Sequence, residues 1–527
     1  MKHFIFPLII IISITTAAPA YWPVTVEEDL LVAADPDSAE RYCVASPYPD
    51  GSVLVVFMLH NSGHHYQIID RYGELKYDYP EALTPSLGTG GFSVQQLLPD
   101  ECSGAFVVFT YSDGSVIIAQ RLDSLGNRLW GDNGVMIFPD FESDFHVSLD
   151  GEGGFLLAVS PDEPDAEYSD LWVQKVDCNG NLLWGNSGVM ISGVPSQSER
   201  YPKICHDGDG GGFVAWQDHR NAYYGELMAQ HVAMNGNLLW PEELIICENY
   251  WKHQIISDGE GGFIVQANPG PADFNTHWRI DDEGDILWVR DHLSWYFWAD
   301  MIPGEPGFFY LGFVYSHGTY GQRMDMEGNN YWPTWGSGQP GAPFAYFPNW
   351  YNCNNEHYYY QYPYFYGIYG FSYNHAEIND LFVNVLDSLG NPLFGESGVL
   401  INTWGGTNFY TNIIPIDDGG IVSVFQFASG IPPAYYDIHA KRINADGTLG
   451  GPNAAIEDMT IAVSGSDIVL SWPSQAPSAQ YYLRKLVDPY SFPVIPDTTI
   501  SDTFFIDLNA LSEGSQFYRV TWEPWVN

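Results

Sequence analysis

The feature that most constrains this chain is an eight-residue pattern, Asp-x-x-Gly-Asn-x-Leu-Trp, which returns at spacings of 44 to 62 residues. The clearest copy runs from Asp123 to Trp130. Others run from Asp177 to Trp184 and, without the Asp, from Ala233 to Trp240. Weaker copies span Asp281 to Trp288, Asp325 to Trp332 and Asp387 to Phe394, and degenerate ones begin at Asp70 and Asn444. Their turn glycines are Gly73, Gly126, Gly180, Gly236, Gly284, Gly328, Gly390 and Gly447. A unit of this length cannot bury its own apolar face, so successive units must stack on one another.

A second pattern, Asp-Gly-x-Gly-Gly-Phe, precedes the copies. It stands at Asp150 to Phe155 and Asp258 to Phe263, with a longer version at Asp207 to Phe213 and degenerate forms from Asp50, Asp100, Pro303 and Asp417. Near Cys353 it is unrecognisable. Between and around these markers each unit reads as four short strands, a to d. In the fourth unit, strand a is expected over 200–205, b over 213–216, c over 227–232 and d over 238–247. The glycines at 208 and 210–212 make the a–b turn and Asn235-Gly236 the c–d turn. Helical periodicity is absent. Four-stranded meanders repeating at this interval predict an all-β, eight-bladed β-propeller, with seven blades as the alternative.

The repeats resemble divergent propeller repeats of exported bacterial proteins, of the form DGxGGxxxAW…aQrlDxxGnxLWg, over about residues 21–453. The Asp-x-x-Gly-x-x-x-Trp part is also similar to the docking motif of pyrroloquinoline-quinone-type propellers, and with no cofactor site visible in the sequence the resemblance implies shared geometry alone. The segment from Tyr21 to Val32 has the phase of a strand d without a blade of its own. Pro36 to Tyr42 matches Pro195 to Tyr201. The last unit is weak after Gly447, so the two ends of the ring are expected to meet there.

Lys2 and His3, the apolar run from Phe4 to Ile14 and Ala18-Pro19-Ala20 together read as a secretory signal peptide over residues 1–20. The run is too short for a membrane span, and none follows it. The expected location is secreted, cell-surface or periplasmic. Six scattered cysteines without a C-x-x-C pair are compatible with buried thiols or with one or two disulfides, and not with a structural zinc site.

After Pro452 the repeat stops. Segments at 461–463, 467–472, 480–484, 504–507 and 517–521 read as strands of a small β-sandwich over residues 454–527. One early Trp and a late Tyr-x-Val strand resemble a fibronectin type III domain, which implies a spacer or a weak binding module.

Acidic residues outnumber basic ones 65 to 19, giving a formal charge of −46. This charge disfavours nucleic acid and anionic membranes as partners, whereas cations, Ca2+ included, are attracted. Asp207-Gly208-Asp209-Gly210 resembles a calcium loop, but the closing Glu is missing. A glycine turn with Asp bonded to local N–H groups is the expectation there, so no cofactor or metal site is assigned and Ca2+ is the one ion left open. No G-x-S-x-G, H-E-x-x-H or P-loop occurs, and the abundant carboxylates define no glycosidase pair. No catalytic residue is assigned.

The expected function is an exported binding or scaffold protein that engages a polysaccharide or protein. The alternative is a glycan-active enzyme, a glycoside hydrolase or lyase, on the same fold. Short repetitive turns join a to b and c to d, whereas the b–c loops vary: 160–170, 218–225, 268–277 and 366–380. Binding is therefore expected on the b–c face. Trp216 to Arg220 reads as a ligand constellation or as a paired strand end. The stretch 344–373, with 15 aromatics in 30 residues, reads as a sugar or protein contact or as a tyrosine-rich core. The candidate ligand contacts are Arg220, Tyr223, Tyr224, Tyr366, Tyr369, Phe371 and Tyr373.

Overall fold

The computed structural model describes strands and turns between Trp22 and Glu523. The longer stretches outside the description are 1–21, 34–39, 86–94, 162–169, 193–198, 220–224, 294–298, 347–368, 375–380, 429–435, 472–479, 487–497 and 508–516. The described elements are all strand, and the repeats fold into antiparallel meanders.

Sheet 1 holds Glu40–Pro47, Val53–Leu59, Gly63–Ile69 and Glu81–Ala82 as strands a to d. Sheet 2 holds Gln95–Pro99, Ala105–Tyr111, Val116–Leu122 and Val135–Pro139. Sheet 3 holds Ser143–Leu149, Phe155–Pro161, Leu171–Val176 and Val189–Ser192. Sheet 4 holds Glu199–His206, Gly212–Asp218, Glu226–Val232 and Leu244–Glu248. Sheet 5 holds Tyr250–Ser257, Phe263–Pro269, Phe274–Ile280 and Ile286–Leu293. Sheet 6 holds Ala299–Pro303, Phe308–Tyr315, Gly318–Asp325 and Ala342–Tyr346. Sheet 7 has Tyr369–Asn374, Leu381–Leu386 and Val399–Asn402, which occupy the b, c and d phases. Sheet 8 takes Thr407–Pro415, Ile421–Ala428 and Tyr436–Ile443 from the end of the repeat region, and its fourth strand, Leu30–Ala33, from the beginning.

The sheets follow one another as the blades of a β-propeller. Strand a of each of sheets 1 to 5 contacts strand a of the next, and strand a of sheet 8 contacts strand a of sheet 1. Apolar clusters fill the spaces between neighbours. Phe106, Val108, Phe155, Leu157 and Val159 join sheets 2 and 3, and Phe213, Ala215, Phe263 and Val265 join sheets 4 and 5. Trp22, Val32, Val53, Val55, Val422 and Val424 join sheets 8 and 1. Each fully buried Val, Leu or Phe contributes about 1.5–3 kcal/mol, so the core is distributed around the ring rather than placed at one centre.

The tryptophan of the repeat is what locks one blade to the next. Trp184 Nε1 donates to Met234 O at 2.9 Å, Trp240 Nε1 to Asp282 O at 2.8 Å and Trp288 Nε1 to Met326 O at 2.7 Å. Each acceptor is the second residue of the following Asp-x-x-Gly turn. The ring lies against that turn's glycine, whose φ is positive. A Cβ on Gly180, φ +84, would stand 3.2 Å from the Trp130 ring and 2.8 Å from Val135. Only glycine admits both the left-handed turn and this close approach.

Strand d departs from the sequence reading, which ran it unbroken over 238–247. Leu238 forms only an isolated bridge to Val232, and the strand resumes at Leu244. In sheets 2 and 3 the same break is a tight excursion bounded by Gly131 and Gly134, and by Gly185 and Gly188, all at positive φ. A glutamine on strand c spans it. Gln174 Nε2 donates to Gly185 O at 2.7 Å, while its Oε1 accepts from Trp184 N at 3.0 Å.

Residues 454–523 form two further sheets. One orders Ala454–Ala455, Phe517–Glu523, Gln480–Leu486 and Thr498–Ile500; the other orders Thr460–Ser464, Asp467–Ser471 and Phe504–Asp507. Cys43, Cys178, Cys205 and Cys247 form no disulfide, and burial pushes the Cys247 thiol up to about 12.

Candidate functional site

In an antiparallel meander the a–b and c–d turns share one end of the sheet, and the b–c loop lies at the other. The register of sheet 4 shows this directly. His206, Gly212 and Val232 are partners at one end, and Glu199, Asp218 and Glu226 at the other.

The a–b/c–d end is occupied by structural work. Asp207 Oδ1 accepts from Asp209 N at 2.8 Å and Gly211 N at 2.9 Å, and Oδ2 meets His231 Nε2 at 3.0 Å. Asp150 and Asp258 cap their turns in the same way. A cation on strand c holds the second carboxylate oxygen: Arg121 on Asp100 at 2.7 Å, Lys175 on Asp150 at 3.4 Å, Arg279 on Asp258 at 2.8 Å. The same cations reach the next blade. Lys175 Nζ donates to Gly210 O at 2.7 Å and Arg279 Nη1 to Met326 O at 3.0 Å. The Asp207 to Gly210 run is therefore a capped glycine turn with both oxygens of Asp207 engaged. Among the described residues, one acidic group, the half-buried Asp281 with the exposed Asp282 and Glu283, has carboxylate oxygens within 4.8 Å of one another.

The b–c end of sheet 4 has a different character. Glu199, Asp218, Glu226 and Glu248 stand directly opposite one another on strands a, b, c and d. Directly opposed residues share a face and repel when they carry like charge. Glu199 and Asp218 are 0% exposed. Ser192 Oγ donates to Glu199 Oε1 at 3.0 Å. Burial, with the charge of Asp218 adding to it, lifts the Glu199 carboxyl to about 7. Beside the row, burial first and then the Arg200 charge lower His219.

Tyr201 sits two residues beyond Glu199 at φ 54 and is 45% exposed. The ladder register slips between Arg200 and Lys203, which marks a bulge. The same Glu-Arg-Tyr sequence recurs in sheet 1, where Tyr42 has φ 56 beside a bulge between Arg41 and Val44. There the backbone N–H of Tyr42 donates to Gln426 Oε1 at 3.0 Å, and Arg41 lies 5.2 Å from the Tyr436 ring centroid. A non-glycine residue in the left-handed region costs on the order of 1–3 kcal/mol, and such residues concentrate at binding sites.

The sequence-predicted contacts divide between two sheets. Arg220, Tyr223 and Tyr224 belong to the b–c loop of sheet 4, directly after the carboxylate row, and lie outside the described residues. Tyr366 also lies outside them. Tyr369, Phe371 and Tyr373 were expected in a loop over 366–380, but the structure places them at alternate positions of strand b in sheet 7, opposite Leu386, Asn384 and Phe382. Alternating aromatics are a period-two strand pattern, and here that pattern prevails over the loop reading. His277, expected at the end of a loop, is buried in strand c of sheet 5. The sequence reading missed Glu199, Tyr201 and Glu226. The repetition of Glu-Arg-Tyr was visible but served only to fix the phase of the first blade.

No protein-family model matches the sequence. No curated protein matches it either. Among solved structures, a protein of unknown function from Dyadobacter fermentans is 8% identical, aligns over 82% of this chain and all of its own, and has a TM-score of 0.35. An alpha-L-arabinanase from Penicillium chrysogenum complexed with arabinobiose is 12% identical over 57% of this chain and 98% of its own, with a TM-score of 0.33. A lectin from Burkholderia pseudomallei is 12% identical over 56% of this chain and 97% of its own, with a TM-score of 0.30. The site is read from its own residues.

Proposed function

We propose that the protein is an exported binding protein, an eight-bladed propeller followed by a spacer-like sandwich, which engages a polysaccharide through the b–c face of sheet 4. The observation that carries this reading is Tyr201, an exposed aromatic held in a strained backbone two residues from the carboxylate row at the b–c end of sheet 4. Exposed tyrosines offer a flat apolar face and a hydroxyl at low entropic cost, which suits stacking on sugar rings. The three buried carboxylates of the row, Glu199, Asp218 and Glu226, act as the rigid base of that rim. At the opposite end of sheet 4 the polar groups of Asp207 and His231 are committed to capping the turn and to joining the next blade.

A second reading, a glycan-active enzyme, is favoured by the Glu199 carboxyl near 7, a value suited to a general acid. Against it stands burial: Glu199 and Asp218 expose no surface to a substrate. A glycan array and a hydrolysis screen on the purified full chain test both. Binding without turnover, lost in Tyr201→Ala and in the double variant Tyr223→Ala/Tyr224→Ala, supports the first. Turnover abolished by Glu199→Gln overturns it in favour of the second.

A further inference from the structure

The junction between sheets 1 and 2 departs from the docking rule in a polar way. Four residues after the turn glycine, where Trp130, Trp184, Trp240, Trp288 and Trp332 stand, the first repeat has Tyr77. A tryptophan ring there would lie against the glycine of the next turn. Tyr77 instead reaches Gly126 through its hydroxyl, 3.5 Å from Gly126 O. Tyr66 supplies the shorter bond to the same carbonyl, at 2.8 Å. The two phenol rings meet edge to face, with centroids 5.8 Å apart.

The smaller side chain leaves an open cleft of about 370 Å3 between sheets 1 and 2, lined by Tyr66, Tyr77, Glu81, Asn127, Arg128 and Asp132. Arg128 runs through it. Its Nη1 donates to Ala82 O at 2.9 Å and lies 3.9 Å from Glu81, while Nη2 lies 3.8 Å from Asp132. Both carboxylates are exposed and loosely held, so each keeps acceptor capacity. Lys76 brings an ammonium 6.0 Å from the Tyr77 ring centroid.

We propose that this cleft is a binding site for one neutral sugar unit of a glycan, separate from the b–c face. The volume fits a pyranose with room for a linkage. The lining offers an aromatic ring with donors and acceptors interleaved around it, which is the complement of a polyhydroxylated ring. A cationic ligand is disfavoured because Arg128 already fills the position between the two carboxylates. An anionic ligand would face Glu81 and Asp132.

The test uses the full chain and the methyl pyranosides of glucose, galactose and mannose at millimolar concentration, read by saturation-transfer NMR, with arginine methyl ester as the cationic arm. Tyr77→Trp restores the side chain that five other repeats use at this position and fills the cleft without emptying the core. Its melting temperature is expected to equal or exceed that of the parent. At least one pyranoside is expected to bind, and to bind tenfold or more weakly to Tyr77→Trp and to Arg128→Gln. Absence of pyranoside binding, retention of binding in Tyr77→Trp, or preference for the arginine ester overturns the proposal. Binding that ignores Tyr77→Trp but disappears in Tyr201→Ala belongs to the b–c face and overturns it as well.

Discussion

Gly180 and Gly185 stand five residues apart at nearly the same dihedral, φ +84 and +80, yet they do different jobs. A Cβ on Gly185 meets nothing within 4 Å, whereas one on Gly180 meets Trp130 and Val135. Alanine at either position incurs backbone strain of about 1 kcal/mol. Gly180→Ala must also displace the docking tryptophan, so it is expected to cost about 1–3 kcal/mol more than Gly185→Ala. Thermal melts of the two variants check the difference. Glu199 gives a pH-dependent counterpart. Its carboxyl titrates near 4.5 when unfolded and near 7 when folded, so below 4.5 it is protonated in both states and contributes nothing. As pH rises from 4.5 through 7 the unfolded state ionises first, and folding loses stability that is not regained above 7. Glu199→Gln is thus expected to match the parent near pH 4.5 and to melt higher at pH 8. A constant offset between the two melting curves across pH would show that the carboxyl does not carry this penalty. At this scale the sequence was informative about glycine and aspartate, whose turn chemistry is local. It was silent about Glu199, because only the pairing of strands a, b and c brings three carboxylates into one row.

Strand c is the element that joins the parts. Gln174 holds the break in strand d of its own sheet, and its neighbour Lys175 joins the a–b turn of sheet 3 to the Gly210 carbonyl of sheet 4. The Lys175 and Asp150 side chains are each 2% exposed. Removing one partner of such a pair strands the other in a low dielectric, at about 3–5 kcal/mol. Lys175→Met is therefore expected to melt far below the parent, while Arg128→Met, at an exposed pair, costs under about 1 kcal/mol. Similar losses in the two variants would show that burial does not set the value of these pairs. The four-strand order was legible because Asp-Gly-x-Gly-Gly-Phe and Asp-x-x-Gly mark both turns of one end. The break in strand d was not, since 238–247 read as one strand across Trp240, whereas the backbone leaves the ladder after the Leu238 bridge and rejoins it at Leu244. The b–c loops were drawn too long for a related reason. Polar residues such as Asp218 and His277 sit inside strands because the ends of inner strands are covered by neighbouring sheets.

The whole ring depends on a join between residues 405 to 410 positions apart in sequence, and that join reuses the repeat's parts with the chain reversed in order. The last turn has Gly451 where five of the other repeats have tryptophan, and Trp22 from the start of the chain takes the role. Its Nε1 donates to Arg71 O at 3.1 Å, and its ring lies 3.2 Å from where a Cβ on Gly73 would stand. Lys441 occupies the position of Gln120, Gln174 and Gln230, three residues before the turn. A glutamine there spans its own strand d, but this last strand d comes from the other end of the chain. The longer lysine donates to Thr25 O at 2.9 Å and Val26 O at 3.1 Å, and pairs with Asp29 at 2.7 Å. Trp22→Ala and Trp184→Ala remove the same kind of contact, at about 3–5 kcal/mol each. Their consequences should nevertheless differ. At Trp184 the flanking blades stay tethered by the chain, whereas at Trp22 loss of docking frees Leu30–Ala33 from the Tyr436–Ile443 strand and bares a sheet edge. An unpaired edge recruits strands from other molecules. Size-exclusion chromatography with light scattering is therefore expected to show species larger than the parent for Trp22→Ala and the parent's own mass for Trp184→Ala under conditions where both remain folded. Equal behaviour of the two variants would mean that the closing blade is held by its apolar cluster alone and that the tryptophan adds nothing particular to closure.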